Sequence, residues 1–304
     1  MKLSDDIFLF FHKNELVLWD YRNNNQYIVT NEYFHKLNKF AKDGSIDDET
    51  LSEFHSLGLI DCKPAQEDWG WDKLSKIFHV GTTPNLEHKN VSPEEAARSF
   101  IDTCKELKGS PIFFKEKDGK IINLPKSNFG KTRDISLHEV LSNRRTIRNF
   151  CKKSTIKLSY LSDILFICFG KQNSNNDIYH YLRTSSSGGG LHPTEPYIIV
   201  NRVKGLERGI YYYHSAEHTL TRINDYPDSL GTSLMHQYFA EDASCGIILA
   251  SNFEREQWKY QHSRAYRVCL LDAGHLSQTV QLTCNAYVFR LGLVVHSMIM
   301  KLIN

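Results

Sequence analysis

The sequence predicts an α+β fold, and three patterns support that prediction. Apolar residues from Tyr160 to Phe169 have helical spacing, and Gly170 follows as a stop. Tyr197 to Val203 and Gly246 to Ser251 are short apolar runs typical of buried strands. Near the end of the chain, apolar residues recur at steps of three and four from residue 265 to residue 287, which predicts one long helix. This mixture of elements indicates an α+β domain.

The long helix carries apolar residues on more than one side. Leu270, Leu271 and Leu282 lie outside its main apolar stripe, so we expect the helix to be nearly buried. Asp272 and His275 stand three residues apart in it, which allows them to hydrogen-bond to each other. Such a pair either satisfies two polar groups in an apolar core or forms a catalytic pair, and the sequence leaves both interpretations open.

The N-terminal part of the chain has a different pattern. Strand-like segments run from Ile7 to Phe11, from Leu16 to Tyr21 and from Gln26 to Val29. Amphipathic helices are predicted from Tyr33 to Phe40 and from Asp48 to Leu57. We therefore expect residues 1–85 to form a small α+β module, which either packs on the main domain as a cap or binds a peptide.

A helical linker region is predicted over residues 86–135, followed by the main domain over residues 136–304. The helix start is indicated at Ser92, because a proline and two acidic residues follow it. The stretch from Phe113 to Phe129 contains four lysines and little periodicity, so we expect a mobile loop there.

Composition and charge argue against several classes of protein. The chain has 304 residues, of which 41% are apolar and 24% charged, which is enough for one large core and an accessory module. The formal net charge of +2 gives no electrostatic reason to expect nucleic acid as a partner. No apolar run approaches the roughly 18 residues of a membrane span, and the first residues do not resemble a signal peptide. We expect a cytoplasmic protein without a membrane partner.

The cysteines are odd in number and widely spaced, which favours free and mostly buried thiols over disulfides. They are Cys62, Cys104, Cys151, Cys168, Cys245, Cys269 and Cys284. No resident metal is expected, since His214 and His218 share their spacing with no cysteine or acidic ligand.

The segment from Arg183 to Pro193 is rich in small residues, with three glycines behind three serines. Glycines can adopt positive φ and bring backbone amides close to a planar or anionic ligand. The segment is neither a Walker loop nor the glycine turn of a Rossmann helix. Taken alone, it is equally consistent with a plain flexible turn.

A second segment, from Ser142 to Phe150, holds Arg144, Arg145 and Arg148 together with Thr146. Guanidinium groups suit phosphate recognition, and Arg144 and Arg148 share a face if this segment is helical. A third segment, from Trp258 to Arg267, places the adjacent Lys259 and Tyr260 just before the long helix.

Together the three segments resemble the SagB-type dehydrogenases of the nitroreductase superfamily, a group that includes the azoline oxidases of thiazole/oxazole-modified peptide biosynthesis. In that family an Arg-Arg-Ser-x-Arg-x-Phe segment, an Arg-x-x-Pro-Ser-x-Gly-x-Leu-x-Pro segment and a Lys-Tyr-x-x-Arg-x-Tyr-Arg segment occur in the same order. The resemblance covers about residues 137–293 and implies a nitroreductase-like FMN-binding fold, with an antiparallel-rich sheet and a long central helix.

The chain departs from the family pattern at four places. Thr146 stands for the usual serine, Ser186 stands for the usual proline, and three residues rather than two separate Tyr260 from Arg264. The chain also ends at Asn304, soon after the long helix, where relatives continue. We expect either a short form of the family or a chain that lacks a C-terminal piece.

The resemblance implies roles for particular residues. Lys259 and Tyr260 are the expected catalytic pair: Tyr260 acts as base or proton relay while Lys259 lowers its pKa or anchors the substrate, and the two roles are interchangeable. The phosphate and ribityl end of FMN is assigned to the arginine segment, and the isoalloxazine to the glycine-rich one. The implied cofactor-binding residues are Arg144, Arg145, Thr146, Arg148, Arg183, Ser186, Ser187, Gly188, Gly189 and Arg267.

The resemblance also implies partners and an activity. A precursor peptide, a cyclodehydratase and a second copy of the chain are the expected partners, and the N-terminal module resembles winged-helix-like leader-peptide modules. Three functions follow. The first is oxidation of thiazoline and oxazoline rings to azoles; the second is flavin-dependent reduction of a dehydroamino acid, quinone or nitro compound with a reduced nicotinamide; the third is a non-catalytic scaffold in a modification complex.

Overall fold

The computed structural model describes residues 1–61, 69–83, 92–109, 111–127, 129–172 and 181–294. Cys62 lies outside these residues, as does the C-terminal end on which the expectation of a short chain rests. The chain divides into two compact units, Met1–Ser99 and Phe100–Asn304. No helix in the described part of the chain is long and apolar enough to cross a membrane.

The N-terminal unit contains the short strands and helices that the sequence predicts. Its central sheet is the antiparallel meander β2-β3-β4, and helices α1 and α2 bury Phe40 and Phe54 against Leu18 of that sheet. The hydroxyl of Thr30 and the carboxylate of Asp47 cap these two helices. The elements are β1 (Lys2–Leu3), β2 (Ile7–His12), β3 (Glu15–Asp20), β4 (Asn25–Ile28), α1 (Asn31–Asp43), α2 (Asp48–Ser56), β5 (Ile60–Asp61) and α3 (Lys73–Gly81), and α4 (Pro93–Glu106) contains the boundary between the units.

The second unit is built on a five-stranded sheet of order β12-β8-β10-β11-β6, in which every neighbouring pair is antiparallel. This agrees with the predicted α+β class and the antiparallel-rich sheet. The elements are β6 (Lys120–Asn123), α5 (Gly130–Arg133), α6 (Leu137–Asn143), β7 (Ile156–Lys157), α7 (Leu158–Phe169), β8 (Thr194–Val200), β9 (Val203–Lys204), β10 (Gly209–His214), β11 (Thr219–Asn224), α8 (Leu230–Ser233), β12 (Cys245–Ser251), α9 (Phe253–Lys259) and α10 (Tyr266–Ala286).

The lysine-rich stretch from Phe113 to Phe129 differs from the predicted loop, because its residues 120–123 form the edge strand β6. Ile122 packs against the core while Ile121 is 57% exposed. This alternation of buried and exposed apolar residues covers too few residues to be recognised as a strand pattern among the surrounding lysines.

Helices α7 and α10 pack together and against the sheet. Leu276, Val280 and Cys284 of α10 belong to the same buried cluster as Leu165 and Phe169 of α7. The expectation that α10 is nearly buried is wrong at its first half, where Leu270 and Leu271 are 55% and 61% exposed. The six described cysteines are free, and three of them are buried.

Candidate active site

The glycine-rich segment forms an ordered loop between residues 181 and 193. A 3₁₀ turn spans Gly188–Gly190, in which Gly189 and Gly190 have φ of 59° and 68°. The hydroxyl of Ser187 accepts a hydrogen bond from the amide of His192 at 2.9 Å, which closes the turn. Positive φ at two successive positions explains why glycine is required there.

Arg183 holds the start of this loop. Its Nη1 donates to the carbonyl of Thr194 at 2.8 Å, its Nη2 to the hydroxyl of Ser215 at 3.2 Å, and its Nε to the hydroxyl of Tyr181 at 2.5 Å. All three nitrogens therefore donate within the chain. The structure shows Arg183 as a residue that shapes the loop, and its predicted contact with a cofactor stays a prediction.

Arg255 of α9 holds the end of the loop. It is fully buried and donates to the carbonyls of Ile112 at 3.1 Å, Phe113 at 2.8 Å and His192 at 2.8 Å, and it pairs with the buried carboxylate of Glu195. A guanidinium with partners on all sides can be buried without leaving donors unsatisfied. This clamp fixes α9 against the loop.

The glycine-rich loop contacts one side of α10, at Thr279 and at His275. The hydroxyl of Ser185 lies 2.6 Å from that of Thr279, and the Ser186 hydroxyl lies 3.3 Å from Nδ1 of His275. His275 is exposed and also contacts the carbonyl of Ser186, so the predicted hydrogen bond between His275 and Asp272 is not formed. His275 positions the loop instead.

The arginine segment is not helical, contrary to the condition under which Arg144 and Arg148 would share a face. Helix α6 ends at Asn143, and Thr146 pairs with Leu291 in a parallel bridge. The guanidinium groups consequently diverge. Nη1 of Arg144 donates to Oε1 of Gln281 on α10 at 3.1 Å, whereas the Arg148 guanidinium lies 5.8 Å from the Phe239 ring centroid.

Arg145 donates only to main-chain carbonyls, those of Ser142 at 2.9 Å and of Arg144 at 2.7 Å. In both Arg144 and Arg145 a single nitrogen is used, and within the described residues Nε and Nη2 make no hydrogen bond. These groups remain available to an anion. Arg267 is half-buried in the first turn of α10.

The predicted pair Lys259 and Tyr260 lies at the end of α9 and meets the glycine turn. Nζ of Lys259 is 3.4 Å from the carbonyl of Gly189 and 5.6 Å from the Tyr260 ring centroid. A Cβ added to Gly189 would stand 2.6 Å from the Tyr260 hydroxyl. The structure thus brings together two segments that lie about 70 residues apart in the chain.

The pKa of Tyr260 is shifted in the direction opposite to that expected. Burial raises the pKa of its phenol, and the neighbouring Glu256 carboxylate raises it further. The raised pKa runs against the alternative in which Lys259 lowers it, and the alternative in which Lys259 anchors the substrate stays a prediction. Tyr260 is a neutral phenol at physiological pH.

Glu256 is a residue of this site that the sequence interpretation missed. It is 1% exposed, and neither oxygen of its carboxyl group has a hydrogen-bond partner in the described part of the chain. Asp272 of α10 is 2% exposed, and its Oδ2 is likewise without a partner there. Burial and the charge of Asp272 raise the pKa of Glu256 to about 7, against a smaller opposite effect of Lys259.

A cavity of about 510 Å³ lies between α9 and the start of α10. Glu256, Tyr260 and Cys269 contribute to its lining, and the stacked rings of Phe253 and Tyr266, with centroids 5.3 Å apart, form another part. The lining also contains polar side chains, those of Gln257, Gln261, His262 and Ser263. A cavity of this size with aromatic walls and polar groups suits a small polar ring system.

The arrangement fits an elongated ligand with a ring at one end and an anionic group at the other. Gly188 packs on Val268 near the start of α10, while Arg144 contacts Gln281 thirteen residues further along the same helix. At 1.5 Å per residue these contacts are about 20 Å apart. Backbone amides and guanidinium groups are donors of the kind that the ring and the phosphate of a flavin mononucleotide would require, and the assignment of these residues to that cofactor stays a prediction.

Comparisons with known proteins point in the same direction. A protein of Methanocaldococcus jannaschii that is named as a nitroreductase is 33% identical over 151 residues, which cover 49% of this chain and 73% of that protein. The trifolitoxin-processing protein TfxB of Rhizobium leguminosarum bv. trifolii is 31% identical over 103 residues. That match covers 32% of this chain and 28% of TfxB, so it spans less than a third of the relative.

Solved structures give more distant similarities. A protein of Anabaena variabilis named as a nitroreductase has a TM-score of 0.45 at 23% identity, covering 66% of this chain and 42% of that one. The Escherichia coli microcin synthetase complex McbBCD has a TM-score of 0.42 at 19% identity, covering 76% of this chain and 85% of that one. The family model named "Nitroreductase family" matches residues 141–301. Because that match covers more than half of the 304 residues, the chain belongs to the nitroreductase family.

Proposed function

We propose that this chain is an FMN-dependent dehydrogenase that oxidises thiazoline and oxazoline rings of a ribosomally made peptide to thiazoles and oxazoles. Membership of the nitroreductase family supports an oxidoreductase of a type that typically binds flavin. The similarity to TfxB, a protein named for trifolitoxin processing, supports a peptide as the substrate. The contact of Lys259 and Tyr260 with Gly189 is the observation that carries the proposal, because it joins the proposed proton-transfer pair to the proposed ring-binding loop.

The chemistry assigns separate tasks to these groups. When bound, FMN supplies a two-electron acceptor for the hydride that leaves the azoline ring. The protein must then remove a proton from the ring carbon, position the ring and exclude water. We assign the transfer of that proton to Tyr260, and to the Lys259 ammonium, which contacts the Gly189 carbonyl, the task of holding a substrate carbonyl or stabilising developing negative charge.

The first test is substitution of the pair in protein reconstituted with FMN. We expect Lys259→Ala and Tyr260→Phe each to reduce azole formation by about a hundredfold or more while flavin absorbance is retained. Lys204→Ala, at an exposed lysine, and Tyr226→Phe, at a half-buried tyrosine, are controls that should leave the rate unchanged. Normal oxidation by both pair variants would refute the assignment, and a protein that binds no FMN would refute the proposed cofactor.

A second candidate is reduction by the same site, and one observation favours it. A phenol whose pKa is raised is in its protonated form at neutral pH, and reduction of a dehydroamino acid, quinone or nitro group needs a protonated group as donor after hydride addition. Measuring peptide oxidation with the oxidised flavin and peptide reduction with a reduced nicotinamide, on the same preparation, separates the two directions.

We also propose that the exposed side of α10 pairs with a second copy of the chain. Leu270 and Leu271 are more than half exposed on a helix whose second half belongs to the core, and such apolar exposure commonly marks an interface. Sedimentation of Leu270→Glu/Leu271→Glu should then show a monomer where the parent chain is a dimer. Ile121→Glu, at an equally exposed residue of β6, is the control.

Peptide recognition by the N-terminal unit remains part of the proposal. Its strand β2 lies at the edge of a three-stranded sheet and exposes Phe8, Leu9 and Phe11. An edge strand with apolar side chains is able to take up an extended peptide by strand addition. Binding of the precursor peptide and of a cyclodehydratase is measured directly with the full chain by calorimetry.

A further inference from the structure

Two side chains of α9 and that of Tyr260, the residue that ends the helix, reach the glycine turn. Glu256 precedes Lys259 by three residues and Tyr260 by four, which places them on the same side of the helix. Oε1 of Glu256 lies 3.5 Å from the position of a Cβ at Gly188, and the other two side chains adjoin Gly189 in the same way. Glu256 therefore lies beside the glycine turn, one helical turn before Lys259 and Tyr260.

The carboxyl group of Glu256 is buried without hydrogen bonds from the described residues that would offset the cost of its desolvation. Its two oxygens lack a hydrogen-bond partner among the described residues, and the second buried acid, Asp272, approaches it from α10. An ionised carboxylate in such a place is costly, and burial together with the charge of Asp272 raises the pKa of Glu256 to about 7. Cys269 of α10 also faces this group, and Lys259 is the cation whose charge acts on it.

Tyr260 needs a partner for its own proton. Since its phenol is neutral, it is able to accept a substrate proton only if its hydroxyl proton leaves at the same time, and it is able to donate repeatedly only if it is reprotonated. The cavity shared by Glu256 and Tyr260 has room for a bridging water. Among the described residues, Glu256 is a buried acid without a hydrogen-bond partner, and its charge acts on this tyrosine.

We propose that Glu256 is the group with which Tyr260 exchanges its hydroxyl proton during turnover, so that Glu256 is a positioning residue acting through Tyr260. In oxidation the substrate C–H proton moves to the Tyr260 oxygen, the hydroxyl proton moves to the Glu256 carboxylate, and the hydride goes to oxidised flavin. In reduction each proton moves in the reverse direction. The inference rests on the proposed function only in requiring a proton transfer at Tyr260.

The first test needs neither cofactor nor substrate. Infrared difference spectra of the full chain, titrated from about pH 5 to about pH 9, should show a protonated carboxyl band that disappears with a midpoint near pH 7. The band should be absent in Glu256→Gln, shifted to lower pH in Asp272→Asn and unchanged in Glu254→Gln, a control at an exposed acid of the same helix. Absence of the band in the parent chain would overturn the proposal.

The second test measures coupling to Tyr260. Phenolate absorbance of the parent chain minus that of Tyr260→Phe isolates the ionisation of this tyrosine. The same difference measured in Glu256→Gln should move to lower pH, because a negative neighbour has been removed. An unmoved titration would show that the two groups are not in communication and would overturn the inference.

The third test uses the FMN-loaded protein in whichever direction it turns over. We expect Glu256→Gln to lower kcat by about tenfold, to leave KM nearly unchanged and to abolish the limb of the pH–rate profile near pH 7, with partial rescue by Glu256→Asp. A parent-like profile in Glu256→Gln would overturn the relay. Failure of the parent chain to oxidise azolines, with turnover only as a reductase, would refute the leading function and leave the relay standing.

Discussion

The hydroxyl oxygen of Tyr260 lies 2.6 Å from the point where a Cβ atom at Gly189 would stand. No larger residue fits at position 189 unless Tyr260 moves, because real Cβ contacts are essentially never so short. The glycine is thus needed twice, for its positive φ and for the close approach of the phenol.

We predict that Gly189→Ala impairs turnover far more than Gly190→Ala. Both positions have positive φ, so each substitution should cost about 1 kcal/mol of folding free energy from backbone strain. Gly190 has no atom within 4 Å of its added Cβ, which makes it a matched control. Displacement of Tyr260 in Gly189→Ala should cost on the order of a hundredfold in kcat. Similar rates in the two variants would contradict this account.

We predict that Arg144 contributes to FMN affinity through its charge. Arg144→Gln should raise the Kd for FMN by about tenfold or more, since a hydrogen bond to a charged group is worth roughly 1.5–3 kcal/mol. The loss should shrink at high salt because the interaction is ionic. Lys152→Gln, which removes an exposed cation from the same connecting segment, is the control for net charge. Fluorescence titration of FMN at two ionic strengths measures both effects, and equal losses in the two variants would argue against a direct contact.

We predict that Glu256 makes the folded chain less stable as the pH rises. Its pKa is raised in the folded state, so the stabilisation is complete below pH 4.5 and is lost as the pH rises through about 7. A shift from 4.5 to about 7 corresponds to about 3 kcal/mol. Glu256→Gln should therefore gain stability relative to the parent chain between these values, as measured by urea unfolding of the flavin-free protein. A constant difference across that pH range would contradict the raised pKa, and Glu254→Gln provides the baseline.

We predict that the buried pair of Arg255 and Glu195 is needed for folding. Arg255→Met leaves the Glu195 carboxylate buried without its partner, which should cost about 3–5 kcal/mol. Adding Glu195→Gln should restore part of this loss, because the unpaired charge is then removed. Thermal unfolding of the single and double variants measures the effect, and a double variant no better than the single one would locate the loss in the three carbonyl contacts instead.

Much of the fold was predictable from sequence periodicity, whereas the electrostatics of the site was not. The sequence placed Lys259 and Tyr260 beside one another, but the environment of Tyr260 depends on Glu256 and on burial, which are three-dimensional properties. Glu256 did leave a signal, since it lies one helical turn before the pair. An acid at that spacing is ordinarily interpreted as a solvent-exposed partner of lysine, and only its buried oxygens show otherwise.

Two other differences have local causes. The sequence from Arg144 to Arg148 has good helix formers, yet the pairing of Thr146 with Leu291 keeps it extended, and a contact that distant in sequence is invisible to local propensity. Leu270 and Leu271 were expected to be buried because they are apolar, but residue type does not distinguish a core position from an exposed apolar one.

The buried contacts of Arg255 determine where the segment around Lys259 and Tyr260 tolerates an insertion. Arg255 and Glu256 are consecutive, so their side chains leave the helix axis about 100° apart, and both are fully enclosed. If α9 rotated about its axis or shifted along it by one residue, the Arg255 guanidinium would enter the space that the Glu256 carboxyl group occupies. The orientation of α9 about its axis is therefore fixed before the chain reaches Lys259 and Tyr260. The residues between Tyr260 and Arg264 lie after this fixed helix, in the turn that leads to the 3₁₀ segment Ser263–Ala265. Insertions at this point of the chain can lengthen the connection without re-aiming the pair.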